Sequence, residues 1–443
     1  MNDYYKIKNI CKIKGGKRIP KGEVLQKEKN SHPYIRILDM YQGRIINISK
    51  DMLYAKESYI KQIKNYIVNE NDVILAIVGN TLGMVSIIGN TLDTAQLTEN
   101  CCKFVDIQED KINRLFLYYA LISPLNQNVI KKFRVGSSQP KLPLYNVGEL
   151  LVPKFTLAIQ SKISNLLSNI DSKIELNNKI NNELESMAKT IYDYWFLQFE
   201  FPNEEGKPYK SSGGKMVWNE ELKREIPEGW INGHLKEYIK NQKAGDWGKE
   251  NAIDNYQKEV TCIRGADFSS ITSFEKMDMP RRFILEKNSF KLLSVYDLLI
   301  EISGGSPIQS TGRICYINDA VLKRFSTKLI TSNFCKAISL TDNNYFYWFY
   351  MLWKTLYINN VFFNYESKTT GIKNLLFDIM CEKYPICKPP IQIIRLYNQQ
   401  VTPYFNKIQQ NIIENQELTS LRDFLLPLLM NGQVGFKEDK AEG

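Results

Sequence analysis

The chain is written twice, and that duplication constrains its fold more than any other feature. "NENDVILAIVGNTLG" (69–83) reads like "LSVYDLLIEISGGSPIQSTG" (293–312): an Asp, an apolar run, then a glycine-containing loop. "LTENCCKFVDI" (97–107) reads like "LITSNFCKAISL" (329–340), with Asn-x-Cys-Lys placing Cys102 on Cys335. An aromatic helical stretch follows each, "NRLFLYYALIS" and "NYFYWFYMLWKT". A polar loop comes next, "RVGSSQPKLP" in one half and "ESKTTGIKNLL" in the other. Pro153 precedes Gln160 by seven, as Pro385 precedes Gln392, and "NNELESM" echoes "NQELTSL". Anchors this far apart at a near-constant offset describe a tandem repeat.

Each half carries short β-rich runs between loops and one or more aromatic helices, so the expected class is α+β, mixed α/β, in two pseudo-symmetric modules. The first module is expected over 1–154 and the second over 230–388. After each comes a long helix, over 155–201 and 389–434, with a Gly/Ser/Pro-rich linker at 202–229 and a tail at 435–443. From Leu157 to Phe201 there is neither glycine nor proline. A helix of about 40 residues rises about 60 Å, longer than a small domain is wide.

The first helix carries a near-heptad stripe of Ile163, Leu167, Ile170, Ile174, Ile180, Leu184, Met187 and Ile191, with Asn177 filling one position. The second carries Ile394, Val401, Ile408, Ile412, Leu418, Leu421 and Leu425, with Asn415 similarly placed. The expectation is an antiparallel coiled-coil pair that separates the modules, its asparagines fixing register. Pro403 either opens the straight part of the second helix behind a Thr402 cap or kinks a longer one.

No catalytic constellation is legible. His32 and His234, the two histidines, do not occupy repeat-equivalent positions, and neither a Walker A loop nor a GxGxxG helix start is present. The eight cysteines form no CxxC pair, so no metal site and no bound cofactor is expected, and buried reduced thiols are. Asp72 and Asp297, each leading an apolar strand, suit a turn role better than catalysis. No signal peptide or membrane span is visible, which points to a cytoplasmic protein.

Recognition is what the polar loops offer. The net charge is +10, which suits a polyanion such as DNA. "GGKRIPKG" supplies Lys17, Arg18 and Lys21 for phosphates, and its counterpart "KAGDWGKE" supplies Lys243 and Lys249. Ser137, Ser138, Gln139 and Lys141 in one half, and Lys368, Thr369, Thr370, Lys373 and Asn374 in the other, can reach phosphates and base edges. The loop 304–313 adds Gln309 and Arg313. The scaffolds match while the loops diverge, as expected if the halves read different sequences.

This architecture resembles the specificity subunit of type I restriction-modification systems, the HsdS family. "IYDYWFLQFEFP" (191–202) looks like that family's ending of the first spacer helix. "GKPYKSSGGKMVWNEELKREIPEGW" (206–230) resembles its lead into the second recognition domain, and "LTSLRDFLLPLLMNGQV" (418–434) its closing helix. Ile159 and Ile391 stand where the family usually has an acidic residue.

The resemblance covers essentially the whole chain and implies two target recognition domains, each reading half of a split site in double-stranded DNA. It also implies two docked adenine-N6 methyltransferase subunits that carry S-adenosylmethionine. Two endonuclease subunits that use ATP and Mg are further expected partners. Trp195, Phe196 and Phe199, with Leu425, Leu428 and Leu429, then either meet the methyltransferase or cap the helix pair. A stand-alone DNA-binding protein with no methyltransferase is the alternative.

Overall fold

The computed structural model describes residues 3–136, 139–273, 278–304, 308–369 and 371–436, leaving aside the side chains of 368 and 369. It divides into two compact units, Met1–Lys173 with Leu418–Gly443, and Ile174–Glu417.

Unit 1 is built on a five-stranded sheet. Its strands are β1 (Lys12–Gly15), β2 (Ile45–Ile46), β3 (Val73–Ala76), β4 (Val85–Ile88) and β5 (Cys101–Val105), in spatial order β1-β5-β3-β4-β2. All pairings are antiparallel except β2 with β4. Every residue of β3 is buried. Val73 and Leu75 face a core shared with helix α1 (Arg114–Ile122), while Ile74 and Ala76 face a second core with Ile35 and Ile46. A strand covered on both faces has no solvent side, so its sequence is apolar without alternation. Asn113 caps α1, its Oδ1 accepting from the backbone N–H groups of Leu115 and Phe116.

Unit 2 repeats the plan. Strands β6 (Ile239–Ala244), β7 (Leu298–Glu301), β8 (Ile314–Tyr316) and β9 (Cys335–Leu340) lie in the order β6-β9-β7-β8, the counterpart of β1-β5-β3-β4. Each unit also has a three-stranded sheet containing one parallel pair, Pro33–Ile35 with Gln96–Leu97 and Tyr256–Ile263 with Lys328–Thr331.

The ladders correct the repeat register. Glu301 pairs with Cys335 where Ala76 pairs with Cys101, so Cys101 is the counterpart of Cys335, and Cys102 is not. Thr331 faces Ile263 as Leu97 faces Ile35, which gives the same offset of 234 (331 less 97). The terminal strand pairs likewise match Leu151 to Pro385, each opposite the residue that precedes a 3-10 turn. The proline match of the letter comparison was therefore two residues out. Adjacent cysteines offered two letter matches, and only hydrogen bonding separates them.

Asp72 and Asp297 do take the turn role. Each accepts from the backbone N–H three residues earlier, Asn69 and Ser294, at 2.9 and 2.8 Å. In each the preceding residue, Asn71 or Tyr296, has positive φ.

The aromatic run of the second half forms α3 (Phe346–Ile358). The long helices are α2 (Leu157–Tyr192) and α4 (Ile391–Met430), and each belongs partly to both units. Within unit 1, Ile163 and Leu167 of α2 share a core with Leu426, Leu429 and Met430 of α4, and Arg422 donates to Asp171 at 2.9 Å. Within unit 2, Asn177 donates to Asn415, Asn411 donates to Asn181, and the Tyr397 hydroxyl donates to the Ala188 carbonyl. Pairing is antiparallel in both places.

The seam departs from the expected stripe. Asn177, Asn181 and Ala188 are buried, Ile180 and Leu184 only partly, and Met187 and Leu421 are exposed. Buried amides that hydrogen-bond across the seam can replace aliphatic knobs, and the apolar stripe then rotates off the contact line. Pro403 lies inside α4, so it does not open that helix. The segment 202–229 is not a bare linker: Met216–Asn219 pairs antiparallel with Arg224–Pro227, and Tyr209 stacks on Phe201, which stacks on Trp230.

Candidate nucleic-acid interface

One end of each central sheet gathers the polar loops. In unit 1, β1 and β3 finish where β4 and β5 begin, so the loops after Gly15 and Ala76 meet the segment 98–100 there. Lys141 joins them through bridges to Val78 and Val135. Unit 2 does the same with the loops after Ala244 and Glu301, the segment 332–334 and the hairpin Glu366–Thr369 with Ile372–Leu375, tied in through Ser303–Asn374. Loops far apart in sequence are thereby brought to one face by strand order.

Gly16 and Gly245 make the first turn of each face. A Cβ on Gly16 would stand 2.1 Å from the Thr98 carbonyl oxygen, and one on Gly245 would stand 1.9 Å from that of Ser332. The backbone must pass this close for the loop to cross the sheet end, so no side chain fits.

The predicted residues fall into three groups. Lys17, Arg18, Lys21, Gln139, Lys141 and Lys249 are exposed on these loops. The Lys17 ammonium lies 5.6 Å from the Tyr66 ring centre, and Arg18 stands 3.7 Å from Glu99. The second group is engaged internally. Lys243 donates to Asp297 at 2.7 Å and to the Leu292 carbonyl at 3.0 Å, which corrects its expected phosphate role: a buried carboxylate at the head of β7 needs a cation. Lys373 pairs with the buried Glu366 at 3.2 Å, Asn374 accepts from the Ser303 hydroxyl, and Gln309 donates to the Tyr357 hydroxyl. Arg313 gives Glu301 two hydrogen bonds, Nε to Oε2 at 2.8 Å and Nη2 to Oε1 at 2.6 Å. That carboxylate pushes the guanidinium pKa up, so Arg313 remains a cation. The third group, Ser137, Ser138, Thr370 and the side chains of Lys368 and Thr369, lies outside the described residues.

Sequence reading passed over a matched pair. Arg36 forks onto Asp39 through Nε and Nη2, and Arg264 forks onto Asp267 in the same way. The shared Arg-x-x-Asp of "IRILDM" and "IRGADF" was the available signal. Glu301 was also missed, because nothing in "LLIEISGG" marks its glutamate as the partner of an arginine twelve residues on.

Trp195, Phe196 and Phe199 are buried in the unit 2 core, where Phe196 meets Trp230, Trp348 and Tyr397. Of the two roles open to these three, the internal one matches this placement, since side chains packed in their own core present little surface to a partner. Leu429 is buried in unit 1, and Leu425 and Leu428 are half-buried there. Beside them Phe424 is 65% exposed.

The cysteines are unpaired. Burial raises the Cys11 thiol to about 12 and the Cys387 thiol to about 11, so neither is a thiolate at neutral pH. Among the described residues no group of three or more His, Cys, Asp or Glu could hold a metal ion, and no helix is long and apolar enough to cross a membrane.

Comparison with known proteins agrees with this arrangement. Residues 2–186 match the profile of the type I restriction modification DNA specificity domain. The chain is 27% identical over 438 residues to the type I restriction enzyme MjaIX specificity subunit of Methanocaldococcus jannaschii, covering 98% of this chain and 94% of that one. A 52-residue stretch, 12% of this chain and 11% of the other, is 42% identical to the HindI specificity subunit of Haemophilus influenzae. The crystal structure of a type I restriction-modification S subunit from M. genitalium shares the fold, with a TM-score of 0.54 at 18% identity over 97% of this chain and 96% of that one. With its doubled scaffold and loop-crowned sheets, the chain is similar along nearly its whole length to a type I restriction enzyme specificity subunit, and its first half matches the DNA specificity domain of that family.

Proposed function

We propose that this chain reads a bipartite DNA site, one half-site per recognition domain, and docks two adenine-N6 methyltransferase subunits together with ATP-dependent endonuclease subunits. The observation that carries this reading is the repeated sheet end. One scaffold presents loops at the same place twice, and the loops differ in the side chains that could touch a base. Phosphate contact falls to Lys17, Arg18, Lys21, Lys141 and Lys249 on those loops, which position the duplex without reading it. S-adenosylmethionine belongs to the methyltransferase and ATP with Mg to the endonuclease, so this chain supplies selection alone. Exposed Phe424 and Leu421 on α4, next to Leu425 and Leu428, are the apolar positions offered to the methyltransferase.

The deciding experiment maps methylated adenines in the source cell with and without the gene. A split motif, two short half-sites around a fixed gap, should vanish on deletion. An unchanged map would favour a DNA-binding protein that works without a methyltransferase. Binding of the purified chain to duplex DNA should also weaken steeply with salt, because each neutralised phosphate releases counterions. A flat salt response would remove DNA as the ligand. Replacing Lys17 and Arg18 together by alanine should weaken binding to all sequences alike and lower the salt slope by about 2.

A further inference from the structure

The two sheets share a rung at which their chemistry differs completely. In unit 1 the Ala76 N–H donates to the Met84 carbonyl, and the Gly83 N–H donates back to the Ala76 carbonyl. In unit 2 the Glu301 N–H donates to the Arg313 carbonyl, and the Gly312 N–H donates back to Glu301. Backbone hydrogen bonding is the same, so Glu301 stands for Ala76 and Arg313 for Met84. A third position changes with them. Arg36 and Arg264 open matching Arg-x-x-Asp turns, so Gly265 stands where unit 1 has Ile37. A Cβ on Gly265 would lie 2.7 Å from Oε1 of Glu301, so the glycine and the glutamate come as a set.

Unit 1 shows that the scaffold folds with an apolar pair at this rung, Ala76 fully buried and Met84 and Ile37 packed on the same core. Substituting an ion pair for an apolar pair is neutral or destabilising in general, because two charges must be desolvated. Stability therefore does not account for Glu301 and Arg313. Their surroundings do. They line an open concavity of about 520 Å³ with Trp247 and Gly265, and its lip carries Phe334, 55% exposed, and Ile372. The concavity sits at the sheet end where the unit 2 loops gather. The carboxylate takes the Nε and Nη2 protons of the guanidinium and fixes its plane, which leaves the Nη1 side of the fork to a ligand.

We infer that Arg313, held by Glu301, is a specificity-determining residue of the second recognition domain and donates to the O6/N7 edge of a guanine in its half-site. A planar fork whose orientation is set beforehand matches that pair of acceptors, and apolar Phe334 and Ile372 suit the neighbouring base. Glu301 is a positioning residue. Unit 1 carries Ala76 and Met84 at this rung, so this reader belongs to the second half-site. The inference rests on the DNA-reading function proposed above.

The test is a selection from double-stranded DNA carrying a randomised window, using the full chain co-purified with its methyltransferase. Bound duplexes are sequenced for the wild type, for Glu301→Ala with Arg313→Met, and for Arg313→Gln. The double variant installs the pair that unit 1 already tolerates. It should leave the first half-site intact and relax one G·C position of the second by about 5- to 150-fold in discrimination. Arg313→Gln keeps a hydrogen-bonding partner for Glu301 and should shift that position from guanine toward adenine, which glutamine reads through N6 and N7. It carries the test if the double variant fails to fold. A second half-site unchanged base for base in the folded variants overturns the inference and leaves the function standing. A wild type that selects no split motif overturns the function itself.

Discussion

The two units solve one folding problem with different cores. Unit 1 divides its interior between the two faces of a thin sheet, one with Phe104, Phe116 and Tyr119 among its aliphatics and the other largely aliphatic. Unit 2 concentrates on aromatics: Tyr347 stacks on Phe405 with centroids 4.4 Å apart, and Phe196, Trp348 and Trp353 are buried close by. All six tryptophans of the chain belong to unit 2. Yet strand order, the Asp turn before the central strand, the Arg-x-x-Asp turn and the glycine at the sheet end are the same in both. Backbone hydrogen bonding defines the scaffold, and a wide range of side chains can fill it at similar volume. What has to match is the ladder, and what is free to differ is whatever stands on its rungs.

The largest effect expected from probing this comparison comes from the aromatic helices. Trp353→Ala and Phe116→Ala each remove a fully buried ring and should cost about 3–5 kcal/mol. Because every tryptophan is in unit 2, fluorescence-detected urea unfolding should follow Trp353→Ala but not Phe116→Ala, whereas circular dichroism should register both. A fluorescence transition that moves equally with Phe116→Ala would mean that the units unfold as one body.

A smaller effect is expected at the paired glycines. Gly16→Ala and Gly245→Ala both push a Cβ onto a carbonyl oxygen, and each should destabilise toward the upper end of the usual overpacking range of about 1–3 kcal/mol. The same denaturation measurement checks it. A cost confined to one of the two would break their equivalence.

Smallest is the seam. Asn415→Leu removes an acceptor from Asn177, which keeps Glu414, and the donor to Asn178, for a cost of about 1 kcal/mol. Adding Asn177→Leu should recover part of it. Additive losses in the double variant would show that the amides act separately.

Much of this was legible from sequence because burial on both faces leaves an unmistakable letter pattern. "VILA" and "LLIE" could be little other than interior strands, and "FYWFYMLW" could be little other than an interior helix. The duplication was legible for the same reason. What misled was matching letters in place of rungs: the cysteine and proline anchors slipped by one and two residues although the true offset, 234 (415 less 181), was already present in the asparagines. Lys243 looked like a loop cation because its partner Asp297 is 54 residues away in the chain. Exposed Met187 looked like a seam residue because a stripe rule counts aliphatics and skips asparagine. The exposed basic residues of the unit 1 loop were found because glycine and charge together mark a turn, a purely local signal. Glu301 was not, since its meaning depends on which strand lies beside it.

The asparagine pairs carry a consequence for how such a chain can change. At an offset of 234, Asn177 answers to Asn411 and Asn181 to Asn415, yet the bonds run crosswise, Asn177 to Asn415 and Asn411 to Asn181. Each helix is therefore the mould for the other's duplicate. A substitution at one of these four positions is judged by a residue descended from its neighbour, so the two copies cannot drift independently there. A sheet-end loop has no such mirror, and a substitution in it is tested only by what it touches outside the chain.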